Sequence, residues 1–186
     1  MTTATPISTP VGNLWLTVEQ RALVALSWQP GPGYQTKADR EVWKRASVWL
    51  TDYFNLKAAD SRTDLAAKPC FVQTPSNGDF NFNLDREPPP FSFFFNPSGT
   101  PFQRRVWQHL LTIPLAQTVT YGTLAKQLNT SPRAIGQAVG ANPIPILIPC
   151  HRVLSQNGWG GYSGFGGVET KQKLMALEVQ KIRQNH

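Results

Sequence analysis

Residues 122–141 read GTLAKQLNTSPRAIGQAVGA, and the reading of this stretch decides the fold. Leu124, Ala125 and Leu128 recur at helical spacing, so Gly122 to Leu128 is expected to be a short helix with those three inward. Asn129 and Thr130 turn the chain. Ser131 is of a type that caps helices and Pro132 suits a first helical position, so a second helix should run to about Ala141. Two short helices across a tight turn make a helix-turn-helix. The second helix carries small residues (Ala134, Gly136, Ala138, Gly140, Ala141), although a helical glycine costs about 1 kcal/mol relative to alanine. Either another helix packs closely on it, or a ligand must approach its backbone. The minor groove of DNA, about 6 Å wide, is such a ligand, and Arg133 would then probe the base stack.

Downstream, residues 143–153 read PIPILIPCHRV. Ile144, Ile146, Leu147 and Ile148 drive into a core, and Pro149 ends regular pairing because it lacks an N–H. Cys150 therefore falls on a buried, irregular turn. A free cysteine is ordinarily a small hydrophobe. Here His151 and Arg152 follow it, residues costly in a core without a task, and a nearby imidazole or guanidinium lowers a thiol's pKa. Residues 157–167 hold six glycines and read as a pocket wall or as a flexible linker; no phosphate-loop spacing is present. The last helix is expected from about Thr170, with Leu174, Leu177 and Ile182 on its buried face. Glu178 shares that face, and a buried carboxylate must be paired. His151 is the partner expected, which yields a relay: Glu178 orients His151, and His151 takes the proton of Cys150 directly or through water.

Upstream, Thr100 and Pro101 open a helix to Ile113 with Phe102, Val106, Leu110 and Ile113 on one face, and Val119 to Tyr121 is extended. The turn-forming run Asn96 to Pro101 is the expected domain boundary. Before it, Val11–Val18 and Arg21–Trp28 form a hairpin linked at Glu19-Gln20, stopped by Pro30 to Gly33. Lys37–Leu56 is an amphipathic helix, Ala58–Asn77 is loop-rich, and Phe80–Leu84 and Phe91–Phe95 are strand-like aromatic runs read as core. Cys70 is read as packing. The fold class expected is mixed α/β (α+β). A small N-terminal α/β domain with a hairpin and helix spans 1–97, and a mainly helical, winged-helix-like domain spans 98–186.

The chain has 186 residues, 40% hydrophobic and 16% charged, the profile of a globular protein. No apolar run is long enough to span a bilayer and no signal pattern opens the chain, so a soluble, cytoplasmic protein without membrane contact is expected. Two cysteines and three histidines show no metal-ligand spacing, so neither metal nor cofactor is expected. The net charge of +7 is lopsided: nine Lys and Arg balance nine Asp and Glu through Pro97, whereas from Ser98 nine face only Glu169 and Glu178. A basic half beside a neutral one fits a polyanionic partner, with nucleic acid the usual one.

The segments TPFQRRVW (100–107), TYGTLA (120–125), SPRAIG (131–136), GANP (140–143) and IPCHRV (148–153) closely resemble the O6-alkylguanine-DNA alkyltransferases, or methylated-DNA–protein-cysteine methyltransferases, over about 85 residues from Ser98. The resemblance implies single-turnover direct reversal: an alkyl group leaves O6 of guanine in double-stranded DNA for Cys150, the base being flipped by a monomeric protein, with O4-alkylthymine left open. It implies His151 and Glu178 as the activating pair and Asn142 as the residue holding the thiol network. Tyr121 would donate toward guanine N3, and Arg133 would fill the gap left by the base. Ala134, Gly136 and Gln137 would complete the DNA-facing surface. The carbonyls of Cys150 and Val153 would accept from the exocyclic amine, and the Tyr162–Ser163 segment would hold O6. The competing classes are a lesion binder or helix-turn-helix regulator, against which the cysteine argues, and a cysteine hydrolase, which would leave the small-faced helix idle.

Overall fold

Leu14, Leu16 and Val18 alternate with Trp15 and Thr17 along one strand, and all three are buried. The computed structural model, which describes residues 5–55 and 96–184, divides into two compact units, Met1–Ser98 and Gly99–His186. In the first, an antiparallel sheet runs in the order β1 (Ile7–Thr9), β2 (Gly12–Glu19), β3 (Ala22–Ser27). Three-residue β1 is too short for periodicity to reveal. The β2–β3 turn consists of Gln20 and Arg21, both at positive φ (49° and 62°), as a two-residue hairpin of matching twist requires. Arg21 therefore belongs to the turn and not to the strand. Helix α1 (Lys37–Phe54) begins with a capping box between Thr36 and Asp39, and Asp39 also accepts from the backbone N–H of Arg21 at 2.8 Å. One carboxylate thus ties the helix start to the hairpin turn, while Ala46, Leu50 and Tyr53 are the buried face of the helix. Leu56, Cys70 and the segments 58–77, 80–84 and 91–95 lie outside the described residues.

The second unit contains α2 (Pro101–Leu110), β4 (Val119–Thr120), α3 (Tyr121–Gln127), α4 (Pro132–Gly140), a 3₁₀ turn (Cys150–Arg152), β5 (Val153–Leu154) and α5 (Gly167–Gln184). Thr100 caps α2 in a reciprocal capping box with Gln103, and Ser131 caps α4 by accepting from the N–H of Ala134. Asn129, at φ 53°, reverses the chain between α3 and α4. The helix-turn-helix is therefore present, and mixed helix and strand is the fold class.

Four expectations need correction. Helix α2 stops at Leu110, leaving Ile113 half-buried beyond it, and Leu128 is likewise only half-buried past the end of α3. Helix α5 begins three residues early, at Gly167. Ile182 is exposed; Leu174, Leu177, Glu178 and Lys181 carry the buried face, so the stripe leaves Ile182 outside as the helix nears its end. No described helix is long and apolar enough to cross a membrane.

Trp107 locks α2 to α4. Its ring is fully buried and its Nε1 donates to the Ala138 carbonyl at 2.8 Å. A Cβ on Gly99 would come within 2.5 Å of that ring, so glycine lets the chain cross the indole. Trp107→Phe removes the donor and strands a buried carbonyl. It should lower stability by about 1–3 kcal/mol in urea denaturation.

Candidate active site

The turn that carries Cys150 is built by the segment before it. Asn142 accepts from the N–H of Ile144 at 3.0 Å and donates from Nδ2 to the Ile148 carbonyl at 2.8 Å, closing a loop on itself. Ile144, Ile146, Leu147 and Ile148 are buried beneath it. Ile146 adopts φ 76°, a left-handed backbone that strains a β-branched residue by about 1–3 kcal/mol. Burial of the four aliphatics and the Asn142 bonds offset that strain. The N–H of Cys150 then bonds to the Ile148 carbonyl at 2.7 Å, and one turn of 3₁₀ helix presents Cys150, His151 and Arg152, all buried.

The phenol of Tyr121 is brought to the thiol by a two-residue parallel ladder. Val119 pairs with Val153 and Thr120 with Leu154. Tyr121 follows β4 directly and the Cys150–Arg152 turn precedes β5 directly, so the ladder fixes the register between phenol and thiol. A Cβ on Gly160, which sits at φ 68°, would come within 3.2 Å of the Tyr121 ring. On the ring's other edge stands Gly136 of α4, whose Cβ would lie 4.0 Å away. Burial, and the charge of a Cys150 thiolate, push both Tyr121 and Tyr162 above the ordinary phenol pKa, so both hydroxyls keep their protons.

The Glu178 carboxylate, fully buried, organises the other side. Its Oε1 accepts from His151 Nε2 at 2.7 Å and from Arg152 Nη2 at 2.8 Å. Its Oε2 accepts from Arg152 Nε at 3.0 Å and from the backbone N–H of Ala116 at 2.8 Å, while Arg152 Nη1 reaches the Ile113 carbonyl at 2.6 Å. Burial alone would raise its pKa, but the hydrogen bonds from His151 and Arg152 and the Arg152 charge override it, and Glu178 stays ionised far below the usual range. His151 was expected as its one partner; Arg152 shares it, and is its bidentate ion pair.

Burial lowers the His151 pKa more than Glu178 restores it, so the imidazole is neutral near pH 7. An ionised carboxylate can only accept, so the ring proton sits on Nε2 and the lone pair on Nδ1. Nδ1 has no hydrogen-bond partner among the described residues, so the thiol does not bond to it directly. Burial pushes the Cys150 thiol up; the Asn142 amide, the Lys171 charge and the backbone N–H groups of Cys150 and His151 pull it down without cancelling that rise. At rest the sulfur is a thiol beside a free base.

The remaining residues singled out in the sequence fall on two surfaces. Arg133 and Gln137 are exposed on α4, with Ala134 and Gly136 half-buried between them. A Cβ on Gly140 would meet nothing within 4 Å, and one on Gly136 only the Tyr121 ring, so close internal packing among the described residues does not require glycine at either position. Tyr162 is half-buried and Ser163 exposed. The Val153 carbonyl already accepts from the Lys171 ammonium at 2.6 Å, which leaves one lone pair for a ligand. Lys171, fully buried, was missed in the sequence. Among the described residues no group of three or more His, Cys, Asp or Glu side chains is placed to hold a metal ion.

Comparison with known proteins matches residues 101–180 to the family described as 6-O-methylguanine DNA methyltransferase, DNA binding domain. The methylated-DNA–protein-cysteine methyltransferase of Shigella flexneri is 37% identical over 179 residues, covering 92% of each chain. That of Salmonella typhimurium is 35% identical over 184 residues with the same coverage. Among solved structures, Mycobacterium tuberculosis OGT in complex with DNA superposes with a TM-score of 0.65 at 29% identity, over 95% of this chain and 92% of that one.

The network dictates an acid response. Glu178 titrates below its ordinary 4.5 when folded, so its stabilisation is present above about pH 4.5 and is lost as pH falls below it. His151 titrates below its ordinary 6.5 when folded, so the unfolded chain protonates first and stability already declines as pH falls through 6.5. Glu178→Gln should cost roughly 3–5 kcal/mol at neutral pH, because it leaves Arg152 buried without its anion. It should also reduce the further loss below pH 4.5, to which Asp39, held low by its own hydrogen bonds, still contributes. Urea midpoints across pH 3.5 to 7.5 check both; parallel curves for the two proteins would contradict the assignment.

Proposed function

The chain belongs to the methylated-DNA–protein-cysteine methyltransferase family, and we propose that Cys150 accepts the alkyl group it removes from O6 of guanine in double-stranded DNA. The carrying observation is the arrangement around His151: Glu178 occupies Nε2, Nδ1 keeps its lone pair, and Cys150 is the adjacent residue on the same turn. That is a neutral base held in one tautomer next to a buried nucleophile.

The second unit does the work. Its excess of Lys and Arg meets the phosphates, and α4 lies in the minor groove with its small face toward the sugar backbone. The absence of an internal packing requirement for Gly136 and Gly140 supports this. Arg133, exposed at the head of α4, fills the stack as the alkylated base turns out, since O6 cannot be reached inside the duplex. Gln137 and Ala134 border the groove. In the pocket the Cys150 and Val153 carbonyls receive the exocyclic amine, and the Tyr162–Ser163 segment meets O6.

His151 Nδ1 takes the thiol proton through an intervening water, and Glu178 stabilises the imidazolium that forms. The Cys150 sulfur attacks the alkyl carbon in line. A carbon–sulfur bond forms, the carbon–O6 bond breaks, and its electron pair passes into the purine. Tyr121, still protonated, meets the developing charge at N3, and the proton held by His151 neutralises the departing base. Asn142 holds the anionic sulfur through its amide while the loop it closes keeps the turn in place. The product is a thioether, for which the site has no nucleophile aimed at reversal, so each molecule reacts once. The residues involved lie in one unit of one chain, so a monomer suffices, acting where chromosomal DNA is reached, in the cytoplasm.

The protein mixed with an O6-methylguanine duplex should gain one methyl, located on Cys150 by intact-mass and peptide analysis. Cys150→Ser should bind the duplex without gaining mass. Release of methyl with repeated turnover, or methylation elsewhere in the chain, would overturn the reading.

A further inference from the structure

Asn157 and Gly158 lie at the tip of the reversal that follows β5, and the mechanism above uses neither. The Gly158 carbonyl accepts twice from Ser155, from its N–H at 3.1 Å and from its Oγ at 3.0 Å, so residues 155–158 close on themselves. Gln156, Asn157 and Gly158 are exposed, and Gly158 adopts φ 149°, a backbone that glycine enters without strain. The Asn157 carboxamide makes no hydrogen bond among the described residues. Asn142 is the contrast within the same unit. Its carboxamide is spent on Ile144 and Ile148, and the residue after it is Pro143, whose nitrogen has no hydrogen to give up. At Asn157 both obstacles are gone: the side chain is free to swing, and the next residue has no Cβ to shield its nitrogen. Asparagine is a thermolabile residue, and this setting exposes it.

The reaction open to this pair is a cyclisation followed by hydrolysis. The Gly158 nitrogen loses its proton and bonds to Asn157 Cγ, the bond from Cγ to the amide nitrogen breaks, and ammonia leaves with that proton. Water then opens the cyclic imide. Attack at Cγ returns an aspartate. Attack at the main-chain carbonyl leaves Gly158 joined through Cγ, an isoaspartate whose backbone runs through Cβ and is longer by one atom.

That extra atom falls where there is no room for it. Two residues on, a Cβ on Gly160 would lie 3.2 Å from the Tyr121 ring and 3.3 Å from the Ser155 nitrogen, so Gly160 is wedged between the start of the reversal and the phenol. A reversal lengthened by one atom and pinned at Ser155 drives Gly160 onto the ring, and the ring out of the register that β4 and β5 set. The new carboxylate also opposes phosphates on the half of the chain that is rich in Lys and Arg. We propose that Asn157-Gly158 is a site of spontaneous isoaspartate formation, which retires unspent protein by displacing Tyr121 from its place beside the Cys150 turn. A protein that reacts once must wait intact for its lesion, and ageing at this turn limits the wait. The consequence for repair rests on the reading of Cys150 as acceptor; the modification itself does not.

In the first arm the protein is incubated without DNA at pH 8 and 37 °C and sampled over days. Trypsin releases residues 153–171, in which Asn157 is the only asparagine; the other Asn-Gly pair of the sequence, Asn77-Gly78, falls on a different peptide. Conversion is read by mass as replacement of –NH2 by –OH, with fragment ions that separate isoaspartate from aspartate and residue 157 from Gln156. The folded chain should convert within about tenfold of the rate of a free 153–171 peptide, because a loop tip opens at little cost. A slower rate overturns the proposal. In the second arm, methyl transfer from an O6-methylguanine duplex is timed on fresh and aged parent, fresh and aged Asn157→Gln, and fresh Asn157→Asp. The isoaspartyl fraction of the aged parent should transfer about tenfold or more slowly. Asn157→Gln, whose longer side chain cyclises poorly, should keep its fresh rate on ageing. Asn157→Asp carries the charge without the extra atom and should slow by no more than about fivefold. An aged parent that transfers at its fresh rate refutes the idea, as does an aged Asn157→Gln that slows alongside the parent, or an Asn157→Asp as slow as the isoaspartyl form. The first arm needs no lesion, so a fresh parent that transfers no methyl yet converts at residue 157 sinks the repair reading and leaves the modification site standing.

Discussion

A carboxylate with no solvent around it must be satisfied or neutralised, and that demand at Glu178 shapes the second unit. Four groups converge on its two oxygens: the His151 ring, two nitrogens of Arg152 and the Ala116 amide. Each belongs to a segment that would otherwise be free to wander. Arg152 belongs to the 3₁₀ turn of Cys150, and Ala116, at a left-handed φ of 57°, belongs to the connection between α2 and β4. Through one anion, α5 holds both the thiol's turn and the approach to the strand that precedes Tyr121. The same anion fixes which ring nitrogen of His151 is basic. Structure and chemistry depend on a single ionised group.

The other constraint is conformational. Chain just before the thiol is forced through a left-handed isoleucine and closed by Asn142, an arrangement costly for the backbone and repaid by four buried aliphatic side chains. Strain of this kind persists where the surroundings over-determine it, and here they place a thiol at the start of a 3₁₀ turn. Short β4 and β5, of whose four residues only Val153 is buried, act as a gauge: two residue pairs set Tyr121 in register with the turn.

Much of this was legible in the residues. Helical spacing and caps located α3 and α4, because Ser131-Pro132 and the Leu124, Ala125 pair each state a local preference that the fold honours. Glu178 could be placed inside because it shares a face with Leu174. Lys171, three residues before Leu174 and seven before Glu178, lies on that face too, and the same periodicity would have found it. It was missed because lysine is usually read as solvated. Arg152 as the ion partner was hidden for another reason. Adjacent residues such as His151 and Arg152 point to one anion only when the chain coils tightly, and the 3₁₀ turn is a product of packing, not of propensity. Strand β1 and the edges of α2 and α5 escaped because three-residue strands and last helical turns follow from tertiary contacts.

The central claim is that His151 is a neutral base with its proton locked on Nε2 by ionised Glu178. Nitrogen-15 NMR of the imidazole in this chain at pH 7 tests it most directly. A protonated Nε2 with an unprotonated Nδ1 is the result the structure requires. An imidazolium, or the opposite tautomer with the proton on Nδ1, would contradict it.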